Sequence, residues 1–448
     1  MAIEEDVLVI GGGLAGATAA LSAAERDATV RLVSYKQSTL RHASGLIDVL
    51  GYEPTAVAET ADERDEEEST TPLVDPFEVI PDLPEGHPYE RVGLEAVRES
   101  LLFFDSIVGD AYAGEHTDAN ALVPTHGGTV KPTARYPATT AAGIASDPRS
   151  TLLVGFETLP DFDAPLASAH LQAAGVPFES RGVTLSFPGI KRDDAKITRY
   201  AHILERDESV DSGAGAAPAR AALAHAIGSE LEGESRVGLP AILGDDHATT
   251  VRRDLEERLG VDVFEVPMGP PSLPGIRLEE LLYDALEAAG VRVTTGVPVV
   301  DYESSDASET AAGRGRIERV LVDRKRKRVP YSADQYILAT GGLVGKGVQS
   351  DRERVYEPIF DCHVPHGEDR YDWFVDEAFG EHPFARFGLA VDRTLCPLGA
   401  DGEREFSNLR AAGGVLGGFD AAAEKSGGGV SLATGYAAGA AAGEEAGR

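Results

Sequence analysis

The apolar run Val7-Leu8-Val9-Ile10 leads into Gly11-Gly12-Gly13-Leu14-Ala15-Gly16, followed by an alanine-rich stretch and a second apolar run ending at Val33. Glycines at Gly11, Gly13 and Gly16 let the backbone approach a phosphate at the first turn of a helix, where free N–H groups attract an anion. Such a fingerprint alone is weak; set between a strand and a helix at this spacing, it marks a nucleotide or flavin phosphate site. In the dinucleotide version a carboxylate about 20 residues further on holds a ribose hydroxyl. Here that position is Ser34. The pocket then takes an adenine dinucleotide held by a hydroxyl, something shorter, or nothing.

Two further glycine clusters carry chemistry of the same kind. In "QYILATGGLVG", 335–345, an apolar strand runs into a turn at Gly341 and Gly342. Near the end, "VLGGFD" places Gly418 and Asp420 in a strand-turn signal, and Gly427-Gly428-Gly429 precede Val430-Ser431 at the first turn of a terminal helix. The N-terminus of such a helix, aimed at the N1/C2=O edge of an isoalloxazine, stabilises the anion formed on two-electron reduction.

These sites need a scaffold, and the pattern supplies one. A strand over 6–10, a helix over 14–24 and a strand over 29–33 form a βαβ beginning. Leu278, Leu281, Leu282, Ala285, Leu286 and Ala289 share one face of a helix. A hairpin turns through Lys325-Arg326-Lys327, a basic run read as solvated. The expected fold is α/β, a Rossmann-like two-dinucleotide-fold flavoprotein: 1–50 and 276–448 form one split domain, and 88–275 is an inserted cap or substrate domain. Residues 53–75 read as an acidic surface loop, with similar insertions at 205–219 and 303–316.

Lys+Arg total 41 against 75 Asp+Glu, a net charge of -34, and only 8 of the 41 are lysine. Repulsion between like charges argues against nucleic acid or anionic lipid as direct ligands. Heavy acid use with scarce lysine reads as adaptation to high salt, where screening acts within a few Å. Cys362 and Cys396 are too few for a disulfide framework or for an iron–sulfur cluster, so electrons leaving this chain need a partner to carry them. Cys362, His363 and His366 lack a fourth ligand at metal spacing, and no metal is assigned. The opening residues carry no signal peptide pattern and no apolar stretch reaches membrane length. The expected location is cytoplasmic, at most peripheral on the inner face of the membrane through partners.

With these motifs in view, the chain resembles the B subunits of anaerobic glycerol-3-phosphate dehydrogenases, in a salt-adapted version. The resemblance rests on "VLVIGGGLAG", "STLRHASGLIDVL", "VPMGPPSLPGIRLEELL", "LATGGLVGKG" with the following "EPIF", and "GGVLGGFDAAAEKSGGGVSLATGYAAG". It implies a flavin-containing subunit of a complex that oxidises sn-glycerol 3-phosphate to dihydroxyacetone phosphate. Its partners would be the FAD-containing A subunit and the iron–sulfur C subunit, which passes electrons to membrane quinone. The family association is with FMN, FAD being the alternative, and FMN has no adenosine ribose to demand an acid after Val33.

Removing hydride from C2 of a glycerol phosphate needs a flavin N5, a base for the hydroxyl and cations for the phosphate. By the resemblance, "LRHASG" runs across the flavin, so Ser44 and Gly45 contact it, and His42 is a candidate base, covalent flavin ligand or packed neighbour. Arg277, Lys131, Arg135 and Lys346 are candidates for the phosphate, each competing with a role in a surface ion pair. Three functions stay open: a catalytic flavin subunit, an electron-relay and docking subunit beside a catalytic FAD-containing partner, and a stand-alone fumarate reductase-like flavoprotein.

Overall fold

The computed structural model describes residues 3–36, 38–54, 71–192, 195–211, 215–305, 315–378 and 380–446. The three expected insertions fall partly outside these, at 55–70, 212–214 and 306–314. The chain divides into two compact units: Met1–Thr39, Asp48–Val108 and Leu281–Arg448 form the first, Leu40–Ile47 and Gly109–Glu280 the second.

In the first unit, β1 (Ile3–Ile10), α1 (Leu14–Ala24), β2 (Val30–Ser34) and α2 (Pro88–Val108) come from the N-terminal part of the chain. Strands β3 (Arg292–Thr295), β4 (Val299–Ser305), β5 (Arg316–Arg324), β6 (Lys327–Leu338) and β7 (Leu409–Ala411) and helix α3 (Gly427–Ala446) follow. One seven-stranded sheet runs β3-β2-β1-β6-β5-β4, with β7 also on β6. Pairings among β3, β2, β1, β6 and β7 are parallel, and β4-β5-β6 is an antiparallel meander. Strand β1 sits centrally, and Val7, Leu8 and Val9 have no exposure at all, as an apolar run covered on both faces requires. The hairpin turns at Lys325 and Arg326, both with positive φ, the geometry of a two-residue turn that matches strand twist.

Helix α3 lies on α1 backbone to backbone, because of a stripe of glycines. A Cβ on Gly435, Gly439 or Gly443 would stand 2.5, 2.2 and 3.0 Å from the carbonyl oxygens of Ala15, Ala19 and Ala23. The repeat of four on both helices keeps one face of each in register.

The structure draws the unit boundary differently from the expected 88–275 block. Helix α2, broken at Gly93, buries Val97, Leu101, Phe104 and Val108 and packs with α3, where Phe103 meets Tyr436 at 5.3 Å between ring centroids. It therefore belongs to the first unit, and the second begins again at Gly109.

The second unit is itself α/β. Its four strands are all parallel, in the order Asp262–Val266, Arg236–Pro240, Thr151–Phe156, Ser180–Leu185. Leu152, Val154, Val237, Leu239 and Val263 fill its core. Arg236 is buried there with its guanidinium donating to the carbonyls of Ala142, Ile144, Asp147 and Arg149, which satisfies most of its donors, and the Asp147 carboxylate lies 3.6 Å away. The chain returns to the first unit inside helix Leu273–Ala288, whose Leu278, Leu282 and Leu286 are buried at the expected spacing.

Candidate functional site

Two of the glycine turns emerge side by side from neighbouring parallel strands. Ile10 pairs in register with Leu338 and Val9 with Ile337. The Ala339 N–H donates to the Ile10 carbonyl at 2.8 Å, and the Gly11 N–H to that of Val33 at 2.9 Å. Both turns thus open at the carboxyl ends of β1, β2 and β6, where open α/β sheets hold ligands. A cleft of about 550 Å³ lies there, within the range of small-molecule sites. Of the residues expected from sequence, Gly11, Gly13, Ser34, Gly341, Gly342, Lys346 and Ser431 line it.

Gly11 adopts φ +125°, and a Cβ on it would stand 2.0 Å from the Ala339 oxygen, so this turn accepts glycine only. Gly13 is different. It is extended, at φ -82° and ψ -171°, and occupies the N-cap of α1 without a side-chain cap. A Cβ there would meet nothing within 4 Å. The first turn of α1 therefore faces open cleft. The Thr340 hydroxyl on the lining is buried without a hydrogen-bond partner, a polar group still to be satisfied. Ser34 is buried and its hydroxyl donates to the Lys36 carbonyl at 2.8 Å, which leaves its lone pairs to accept from a ribose hydroxyl. The described residues thus fit a phosphate-bearing dinucleotide.

Charge sharpens this. Among the described lining residues there are two lysines, Lys36 and Lys346, and no carboxylate, in a chain with 75 carboxylates and 8 lysines. Sequence reasoning missed Lys36, Thr340 and Tyr283. Lysine scarcity is the signal that could have found Lys36, which stands two residues after Ser34. Tyr283 donates to the Gly12 carbonyl at 3.2 Å across a separation of 271 residues, and no local signal marks it.

One wall of the cleft, Pro358 and Ile359, is held from beneath by Glu357, which has no exposure. Its carboxylate accepts the N–H groups of Ile359 at 2.8 Å and Phe360 at 2.7 Å. Burial pushes this carboxyl up to about 7, against the N–H groups of Ile359, Phe360 and Cys362 that favour the charged form. A raised carboxyl pKa means that its stabilising contribution is present below the ordinary value and lost as pH rises through about 7. Glu357→Gln should therefore remove up to about 3 kcal/mol of pH-dependent destabilisation between pH 5 and 8. Thermal midpoints of both proteins across that range check it: the gap in favour of the variant should widen with pH.

The other expected residues lie elsewhere. Gly16 is buried in α1 beneath the Gly11 carbonyl, supporting the turn. Asp420 caps the short helix Ala421–Glu424, accepting the N–H groups of Ala422 and Ala423 at 3.0 Å, and Gly418 forms the turn before it at φ +85°. Gly429 and Val430 are buried, a Cβ on Gly429 would stand 2.2 Å from the Tyr89 hydroxyl, and Gly428 is half-buried beside them. Helix α3 begins at Gly427, three residues earlier than expected, and only Ser431 of this group reaches the cleft lining.

His42, Ser44 and Gly45 fall in Leu40–Ile47, which groups with the second unit. His42 is exposed, and Gly45 is at φ +78° with its carbonyl accepting from Tyr112 at 2.8 Å. Of the phosphate candidates, Arg277 is committed to the wholly buried Glu265, at 2.6 and 3.0 Å, and to the Gly244 carbonyl. Arg135 is buried and donates to the carbonyls of Gly114 and Ala134. Lys131 is half-buried on the strand Val130–Thr133 of the second unit. Only Lys346 of the four lines the cleft. For Arg277 and Arg135 the cause is plain: a sequence shows a cation but not the carboxylate or carbonyls that occupy it.

Both ring nitrogens of His366 are used, one donating to Val364 O at 2.6 Å and the other accepting from Val355 N at 3.3 Å. Among the described residues, Glu205, Asp246 and His247 lie close enough together to share an ion. Glu205 already accepts the N–H groups of Asp246 and His247, just ahead of helix Ala248–Leu259. Among the described residues no helix is long and apolar enough to cross a membrane.

Comparison with known proteins agrees with this geometry. Residues 6–430 match the family model of an FAD binding domain. The chain is 59% identical to the probable B subunit of the anaerobic glycerol-3-phosphate dehydrogenase of Halobacterium salinarum, covering 99% of each chain. It is 28% identical to the B subunit of the anaerobic glycerol-3-phosphate dehydrogenase of Vibrio cholerae, covering 96% of this chain and 94% of that one. Among solved structures it is similar to an open flavocytochrome c3 fumarate reductase, at 11% identity and a TM-score of 0.43, over 99% of this chain and 79% of the other. The FAD match gives the expectation of FMN no support; a serine after β2 does not by itself exclude an adenosine ribose.

Proposed function

The chain belongs to the family of anaerobic glycerol-3-phosphate dehydrogenase B subunits, with the fold of an FAD-binding domain, and on that premise we propose that its first unit holds FAD within that oxidoreductase complex. The reaction of the complex is oxidation of sn-glycerol 3-phosphate to dihydroxyacetone phosphate, with electrons passing towards quinone. The FAD-containing A subunit and the iron–sulfur C subunit are its proposed partners, and through them it reaches the inner face of the membrane from the cytoplasm.

The observation that carries this reading is the cleft itself: two glycine turns, an uncapped helix start, two lysines and no carboxylate among its described lining residues. In a chain of charge -34, that local balance suits a pyrophosphate. The backbone at Gly11–Gly13 and the start of α1 take the phosphates, Lys36 and Lys346 offset their charge, and Ser34 accepts from the ribose. Gly341, Gly342 and Ser431 close the opposite side. FAD, when bound, supplies acceptance of two electrons from carbon and their release to a partner.

A second reading is favoured by a specific observation. No histidine or carboxylate is among the described lining residues, and Arg277 and Arg135 are occupied by other partners. On this reading the FAD-containing A subunit removes the hydride and the present chain relays electrons.

The test is to purify the chain in high salt, release its chromophore with acid and identify it by chromatography. One FAD per chain is expected. FMN would mean a shorter ligand at Ser34, and a colourless chain would reduce the glycine turns to scaffold. Reduction of a dye by glycerol 3-phosphate with the isolated chain then separates the two readings, since the relay predicts none.

A further inference from the structure

Among the described residues, eleven large hydrophobic side chains are exposed, and four of them, Tyr371, Phe374, Val375 and Phe384, fall within residues 371–384 of the first unit. Two short 3-10 turns, Arg370–Trp373 and Pro383–Arg386, organise this stretch, and neither contains a buried residue. The chain's single tryptophan, Trp373, is here, half-buried against His366 and Phe387 at 5.6 and 6.2 Å between ring centroids. Tyr371 meets Phe374 at 6.3 Å, His382 stacks on Phe384 at 4.9 Å, and the Val375 N–H donates to His382, so the exposed rings of this stretch are held in small groups close together along it. A water-facing surface gains nothing from ordering this many apolar rings at its edge, and such a cluster marks a binding face.

The rim indicates what it binds. Glu368, Asp369, Asp372, Asp376, Glu377 and Glu381 are all exposed around it, against the two arginines Arg370 and Arg386. A second copy of this chain, docked by two-fold symmetry, would bring the same acidic rim onto itself. An anionic lipid surface would be repelled as well. An apolar centre with a predominantly acidic rim is the anatomy of a protein interface whose partner carries the opposite sign. We infer that the described residues of 366–387 dock another member of the same complex through an apolar patch ringed by arginine or lysine. The inference uses membership of a multi-subunit family and does not depend on which flavin the cleft holds.

The experiment compares hydrogen exchange of peptides spanning 366–387 in the isolated chain and in the complex purified intact from cells. Exchange should slow at least about tenfold on assembly, because a docked aromatic centre excludes water. Phe374→Asp and Tyr371→Asp, at positions exposed in the free chain, should each lose co-purification with the other subunits while keeping the wild-type flavin content. Unchanged exchange in the intact complex, or variants that assemble normally, overturns the inference. So does an isolated wild-type chain that sediments as a dimer which Phe374→Asp splits, since the occupant is then a second copy.

Discussion

Gly13→Asp should yield a chain that purifies without flavin yet melts at or slightly above the temperature of the wild-type apoprotein. The two effects have separate causes. Gly13 is the N-cap of α1, has ordinary extended dihedrals, and offers open space to a side chain. Aspartate is among the best N-cap residues, so the helix gains up to a few tenths of a kcal/mol over glycine. The same carboxylate takes the N–H groups that a phosphate would use and sets a negative charge against it. Hydrogen bonds to a charged group contribute about 1.5 to 3 kcal/mol each, so losing one or two lowers affinity by about tenfold or more, and the added negative charge lowers it further. The ratio of flavin to protein absorbance, with thermal midpoints of both apoproteins, checks it. Retained flavin would move the phosphate site away from α1. At Gly11 the experiment would be ambiguous, because φ +125° and the 2.0 Å approach to Ala339 O put the fold itself at risk.

Arg277→Leu is expected to destabilise the second unit by about 3 to 5 kcal/mol, on the order of 10 °C in midpoint, because it leaves the buried Glu265 without its guanidinium. Burial drives the Glu265 carboxyl up, but Arg277, Thr139 and the Leu243 N–H together outweigh it and hold it below the usual range. A lowered carboxyl pKa contributes stability that is present at neutral pH and lost as pH falls through the lowered value. Without Arg277 the opposing burial prevails and raises this carboxyl, so the variant's deficit should be largest at neutral pH and narrow as pH falls and Glu265 takes up a proton. Adding Glu265→Gln should recover part of the loss by removing the unpaired charge. Had Arg277 bound substrate phosphate, the variant would show a raised KM for glycerol 3-phosphate in the complex at an unchanged midpoint.

Residues 366–387 show how far pattern reading reaches. Their aromatic content is plain in the sequence, but aromatic residues in a loop more often fill a core. Only the fold shows that Tyr371 and Phe374 remain outside it. The same limit applies to Arg277 and Arg135, read as phosphate ligands from their residue type and found spent on Glu265 and on backbone carbonyls. Helix α2 likewise reads as the start of the inserted block and packs instead with α3, through contacts between distant segments.

What the sequence determined by itself was local: the βαβ opening, the glycine turns after β1 and β6, the hairpin and the terminal helix. Each depends on dihedral freedom, apolar period or capping within a few residues. The tertiary structure alone decided that Ile10 and Leu338 end side by side so that two turns share one cleft. It also decided that the chain's carboxylates stay off the described lining of that cleft while Lys36 and Lys346 reach it. Those outcomes depend on strand register and on which charge finds which partner, and both are set by residues hundreds of positions apart, whose separation leaves no periodic trace in the chain.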